Sequence, residues 1–96
     1  MKEWDVLVIG AGAAGCFSAI NASENFKHAK IAILERNAKS LSKVKISGGG
    51  RCNVTHHQFD PKQLITNYPR GQKELIGPFH RFQPKDTEAW FANHGV

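Results

Sequence analysis

An α/β fold, opening as the βαβ start of a doubly wound parallel sheet, is what three features of this chain predict. An apolar run, Asp5-Val6-Leu7-Val8-Ile9, leads straight into Gly10-Ala11-Gly12-Ala13-Ala14-Gly15. A second apolar run, Ile31-Ala32-Ile33-Leu34, follows after a helix-length interval and ends on Glu35. The third feature is Gly48-Gly49-Gly50-Arg51-Cys52-Asn53, where consecutive glycines precede basic and polar groups.

Residues 4–9 read as a central parallel strand, because Val6, Leu7, Val8 and Ile9 are apolar on both faces. The glycines then follow the pattern G-x-G-x-x-G. In that pattern the first makes the tight turn and the second lets backbone approach a pyrophosphate. The third lets the helix pack close to the strand. A helix is expected over 12–25, with Ala13, Phe17 and Ile20 on its apolar face and Cys16 beside them as a core residue. Its free N–H groups and positive dipole end face an anion. The polar stretch Asn25-Phe26-Lys27-His28-Ala29-Lys30 ends the helix, and residues 31–34 form the second strand. From Asp5 to Glu35 the unit has the length of one βαβ turn with a right-handed crossover.

Glu35 stands at the end of the second strand, 20 residues after Gly15. A carboxylate there can accept hydrogen bonds from the adenosine ribose hydroxyls and would repel a 2′-phosphate, which disfavours NADP. The competing reading is a solvated strand-end glutamate. Arg36 either flanks the adenine or faces solvent.

Residues 37–55 show no clean period from Ser40 to Ile46. Three glycines followed by Arg-Cys-Asn do not resemble a Gly/Ser linker. Such a turn can form an anion nest from its N–H groups. Arg51 can add a charge-assisted contact to a pyrophosphate oxygen, and Asn53 offers donor and acceptor to a heterocycle edge. A glycine-rich surface turn is the simpler alternative. Cys52 reads as a small packing residue or as a thiolate near His56 or His57. Cys52, His56, His57 and Asp60 match no zinc spacing, so no metal is expected.

In the remainder, Asp60-Pro61 starts a short helix, Lys62–Asn67, as N-cap and first helical residue. A helix over Gln72–Phe82 is expected to be interrupted or ended near Gly77-Pro78. Pro84 or Asp86 opens a third helix, in which Trp90 and Phe91 supply core contact. Gly95 caps it in the left-handed conformation. His80 and Arg81 read as a solvated helix face.

Composition bounds the function. The 96 residues are 41% apolar and 22% charged, which excludes a disordered or collagen-like chain. No apolar run approaches a membrane span, and Glu3 and Asp5 lie where a signal peptide would be basic, so a soluble cytoplasmic protein is expected. Two cysteines are too few for a disulfide scaffold. The formal charge of +5 comes from scattered basic residues without a dense block, so neither nucleic acid nor membrane is expected as a partner. Two strands are too few for a doubly wound sheet. Residues 1–96 therefore read as the N-terminal part of a longer nucleotide-binding domain.

These motifs together resemble the BaiN/RdsA-type (aminoacetone oxidase-like) flavoprotein family. The resemblance is carried by Asp5 to Gly15, by Ile33-Leu34-Glu35-Arg36, and above all by Lys45-Ile46-Ser47-Gly48-Gly49-Gly50-Arg51-Cys52-Asn53-Val54-Thr55. Phe82 to Val96 is similar as well. The resemblance implies a Rossmann-like FAD-binding domain of a flavin-dependent oxidoreductase, with a substrate domain elsewhere. By motif, Gly10, Gly12, Ala13, Ala14 and Gly15 meet the FAD pyrophosphate. Glu35 holds the ribose with Arg36 nearby. Gly48, Gly49, Gly50, Arg51, Cys52 and Asn53 line the cofactor near its diphosphate or flavin. Hydride would pass between FAD and a small organic substrate or NAD(P)H. The alternatives are a flavin-free NAD dehydrogenase and an RNA-associated flavoprotein. No catalytic acid or base can be named from the sequence.

Overall fold

Strand β1, Val6–Ile9, and strand β2, Ile31–Leu34, pair in parallel with Val6 opposite Ile31 and Ile9 opposite Leu34. The computed structural model describes residues 3–50 and 53–96. The pair is clasped just before it begins. Asp5 N–H donates to the Lys30 carbonyl at 2.9 Å, and the Asp5 carboxylate accepts the Lys30 N–H at 2.8 Å. The strand therefore begins at Val6, two residues later than the expected start at residue 4. At the other end Gly10 N–H donates to the Leu34 carbonyl at 2.8 Å, carrying the ladder one step past β1.

Helix α1, Ala13–Asn25, joins the strands and packs on both. Its packing face differs from the expected one. Ala19 is the buried residue of α1, and Gly15 lies against Val8 and the Gly10 carbonyl. At 3.6 residues per turn, Ala13 and Phe17 fall on the opposite side of the helix, and Ile20 lines a cleft at its edge with Ile31 and Ile33. The reason is closeness. A helix that approaches a strand at glycine distance uses its smallest side chains at the contact, so the larger apolar groups are displaced from it. Cys16 is half-buried. On β1, Val6 and Val8 are half-buried while Leu7 and Ile9 are 52% and 78% exposed.

After β2 the chain forms α2, Ser42–Ile46, a single helical turn in a stretch without visible period. Its N-cap residue, Leu41, has φ 55°, in the left-handed region. A tight turn over Ser47–Gly50 follows. Left-handed backbone costs a leucine about 1–2 kcal/mol and a β-branched residue more. Leu41→Val is therefore expected to lower stability by at least about 1 kcal/mol in urea unfolding. An unchanged midpoint would mean that this conformation carries no constraint.

The chain divides into two compact units, residues 1–53 and 54–96. The second is helical. Asp60 caps α3, Pro61–Leu64, by accepting the Lys62 N–H at 3.0 Å, with Pro61 at the first position as expected. A 3-10 turn, Ile65–Asn67, continues it. Helix α4, Gln72–Arg81, runs through Gly77-Pro78 rather than stopping there. Proline usually expels its predecessor from helical backbone by clashing with that residue's N–H and Cβ. Gly77 has no Cβ, which removes half of that clash, and Phe82 N–H still reaches the Pro78 carbonyl at 2.8 Å. Helix α5, Pro84–Asn93, begins in a capping box. Gln83 accepts the Lys85 N–H, and Asp86 accepts the Gln83 N–H at 2.9 Å. It ends as expected at Gly95, where Val96 N–H donates to Phe91 and Gly95 N–H to Ala92. Leu64, 2% exposed, and Pro84 are the buried residues of this unit. Among the described residues no helix is long and apolar enough to cross a membrane.

Candidate functional site

The three glycines after β1 are glycine for three different reasons. Gly10 has φ 99°, which side-chain-bearing residues rarely adopt. Gly15 has no room for a side chain, since a Cβ there would overlap the Gly10 carbonyl oxygen and press on Val8. Gly12 has neither constraint. Its φ of −87° and ψ of −170° are ordinary extended backbone, and a Cβ would meet nothing within 4 Å among the described residues beyond its chain neighbours. Among the described residues, the space in front of Gly12 is open.

That space lies at the N-terminus of α1. Gly12 is the N-cap, no side chain caps the helix, and its first turn carries no acidic residue. The first intrahelical bond is Cys16 N–H to the Gly12 carbonyl at 3.0 Å. The N–H groups of Ala13, Ala14 and Gly15 consequently have no acceptor within the helix. Bare N–H groups, the positive end of a thirteen-residue helix and a missing side chain together suit a phosphate group.

Glu35 follows β2 and faces the same loop. Its Oε1 accepts the Ala11 N–H at 2.9 Å and its Oε2 accepts the Asn37 N–H at 2.6 Å. The Asn37 N–H, then the Ala11 N–H, hold its carboxyl below the usual carboxylate range, and neighbouring Arg36 adds to this. Each carboxylate oxygen has a second lone pair, so capacity for a ribose hydroxyl remains. Arg36 itself is exposed.

The glycine turn belongs to the same unit. Gly48 and Gly49 have φ of 62° and 65°, as the expected close turn requires, and a Cβ on Gly48 would crowd Asn53 Cβ. Gly50 closes the turn. Arg51 and Cys52 lie outside the described residues. The segment reaches the first loop through Leu41, whose N–H donates to the Ala11 carbonyl at 2.8 Å. Ala11 and Leu41 are residues that sequence reasoning missed. Both act through backbone atoms, which no residue type announces.

In the second unit, His57 Nδ1 lies 3.0 Å from Glu88 Oε1, with both side chains largely in solvent. His57 also packs edge-on against Phe59. Trp90 stacks on His94 and meets Phe91 at 88°. His80 and Arg81 are exposed, as expected.

Comparison with known proteins identifies the family of the fold. The chain is similar to the ribosomal RNA dihydrouridine synthase of Escherichia coli (strain K12), with 32% identity over 96 residues covering the whole chain and 23% of that protein. It is 38% identical over 89 residues to the 3-dehydro-bile acid delta(4,6)-reductase of Clostridium scindens, covering 93% of the chain and 21% of that protein. It is 30% identical over 90 residues to the ribosomal RNA dihydrouridine synthase of Haemophilus influenzae, covering 94% and 21%. The chain thus spans between a fifth and a quarter of the length of these relatives. The sequence model of the family described as HI0933-like protein Rossmann domain matches residues 4–96, and the chain belongs to that family.

Proposed function

We propose that this chain is the dinucleotide-binding part of an FAD-dependent oxidoreductase. The observation that carries the reading is Gly12, a glycine demanded neither by its backbone angles nor by its surroundings among the described residues. A pyrophosphate seated before it would take the N–H groups of Ala13, Ala14 and Gly15. Glu35 would accept from the ribose, which distinguishes an adenosine nucleotide from a bare phosphate. The glycine turn at Gly48–Gly50, with Arg51, Cys52 and Asn53, would serve the diphosphate or flavin side and favours FAD over NAD. Bound flavin would supply hydride chemistry with a small organic substrate or NAD(P)H, while the chain supplies position and electrostatics. The bile acid reductase relative supports a small organic substrate.

The purified protein should be yellow, with the two absorption bands of an oxidised flavin. A colourless protein that takes up no added FAD would overturn the assignment, and tight NAD binding without FAD would favour the flavin-free dehydrogenase. Arg51→Ala is expected to weaken FAD by about 1–3 kcal/mol in a binding titration, the usual worth of a charge-assisted hydrogen bond. Unchanged affinity would return Gly48–Asn53 to a plain surface turn.

A second reading concerns the substrate. From Arg36 to Phe59 the chain carries five Lys and Arg residues and no Asp or Glu. With two relatives named for ribosomal RNA, this supports an RNA substrate as the alternative to a small molecule. Retention of RNA that falls steeply with salt would support it. Absence of RNA binding at low salt would remove it.

A further inference from the structure

We propose that Glu35 is a positioning residue for the Gly10–Gly15 loop in addition to any contact it makes with the ribose, and that it acts through the Ala11 peptide. The proposal rests on the nucleotide reading above and deepens it.

The sheet ladder ends with the bond from Gly10 N–H to the Leu34 carbonyl, so Ala11 has no strand partner. Ala11 is nevertheless 6% exposed. A buried peptide without partners is costly, and both of its polar groups are instead taken from outside the loop. Glu35 Oε1 accepts the N–H at 2.9 Å, and Leu41 N–H donates to the carbonyl at 2.8 Å. Two hydrogen bonds on opposite sides of one residue fix the peptide planes on either side of it. Those planes set φ and ψ of Ala11, and hence the direction in which Gly12 and the first N–H groups of α1 point. A loop held this way before the nucleotide arrives loses less conformational freedom on binding.

A glutamine cannot replace this carboxylate. Oε1 and Oε2 each accept a backbone N–H, from Ala11 and from Asn37. An amide has a single acceptor oxygen, and its NH2 would face the other N–H.

The test separates the two roles of Glu35 by removing the ribose hydroxyls from the ligand instead of the protein. The protein is stripped of flavin, and wild type and Glu35→Gln are titrated calorimetrically with ADP and with 2′,3′-dideoxy-ADP. A residue that serves only the ribose loses its influence on the dideoxy nucleotide. Glu35 is expected to keep it, the variant binding dideoxy-ADP roughly five- to ten-fold more weakly than wild type and ADP more weakly still. Equal binding of dideoxy-ADP by the two proteins, with ADP weakened, would overturn the positioning role and leave the nucleotide reading intact. Wild type that binds neither FAD nor ADP would overturn both. A measurement on wild type alone covers a variant that fails to fold. In the nucleotide-free protein the Ala11 amide resonance should shift as the Glu35 carboxylate titrates, and an Ala11 resonance indifferent to that titration would overturn the proposal.

Discussion

Replacing Gly12 by valine is expected to abolish FAD binding, a loss of roughly a hundred-fold or more, while the fold survives. The survival half follows from geometry. Valine readily adopts φ −87° and ψ −170°, and among the described residues its Cβ would meet nothing within 4 Å beyond its chain neighbours. What the protein loses is glycine's modest preference as an N-cap, about 1 kcal/mol or less. The binding half follows from the same empty space. If a pyrophosphate sits on the bare N-terminus of α1, a branched side chain at Gly12 occupies its place and covers the N–H groups that would hold it. Flavin fluorescence titration and urea unfolding of the same variant check both halves. Normal FAD affinity would show that the pyrophosphate lies elsewhere, and a large drop in unfolding free energy would show that Gly12 has a packing role.

That separation of roles was only partly legible in the sequence. The G-x-G-x-x-G spacing and the two apolar runs place β1, α1 and β2 within one or two residues, because each element has a strong local pattern. β2 spans Ile31–Leu34 as expected. β1 begins later than residue 4 because the Asp5–Lys30 clasp precedes it, a contact across 25 residues that no local pattern contains. The packing face of α1 departs from the apolar pattern for a related reason. A search for apolar side chains selects Ala13, Phe17 and Ile20, whereas a helix held at glycine distance sets Gly15 and Ala19 at the contact, and their smallness is their contribution.

The second loop shows the other limit. α2 has five residues, too few to display a helical period, and its cap is a leucine in a conformation that leucine seldom takes. Glu35 stands out in the sequence as a candidate ribose carboxylate because its type and its distance from Gly15 are both informative. Its partners were not, since Ala11, Asn37 and Leu41 enter the site through peptide groups alone. The continuous α4 likewise depends on Gly77 standing before Pro78. The pair reads as a breaker from composition and as a tolerated proline once the missing Cβ is considered.

The complementary result concerns Gly15. Gly15→Ala is expected to destabilise the fold by about 3 kcal/mol or more in urea unfolding without nucleotide, the upper end of the range for overpacking. The sign is informative because helix propensity argues the other way. Alanine within an exposed helix is favoured over glycine by about 1 kcal/mol, so without a clash the variant would be the more stable protein. The clash is with backbone. The new Cβ would overlap the Gly10 carbonyl oxygen and stand 3.1 Å from the Gly10 carbonyl carbon and 3.3 Å from Val8 Cγ1. Val8 could turn slightly, but the Gly10 carbonyl cannot move alone. Gly10 is held at φ 99°, its N–H is bonded to Leu34, and the next residue is tied to Glu35 and Leu41. Relief requires α1 to move off β1, which opens the contact that buries Ala19 and tilts the N–H groups of the first turn away from the space before Gly12. FAD affinity should therefore fall together with stability in Gly15→Ala, whereas in Gly12→Val affinity falls alone. Stability equal to or above wild type in Gly15→Ala would show that α1 and β1 are not in the close contact from which the site is built.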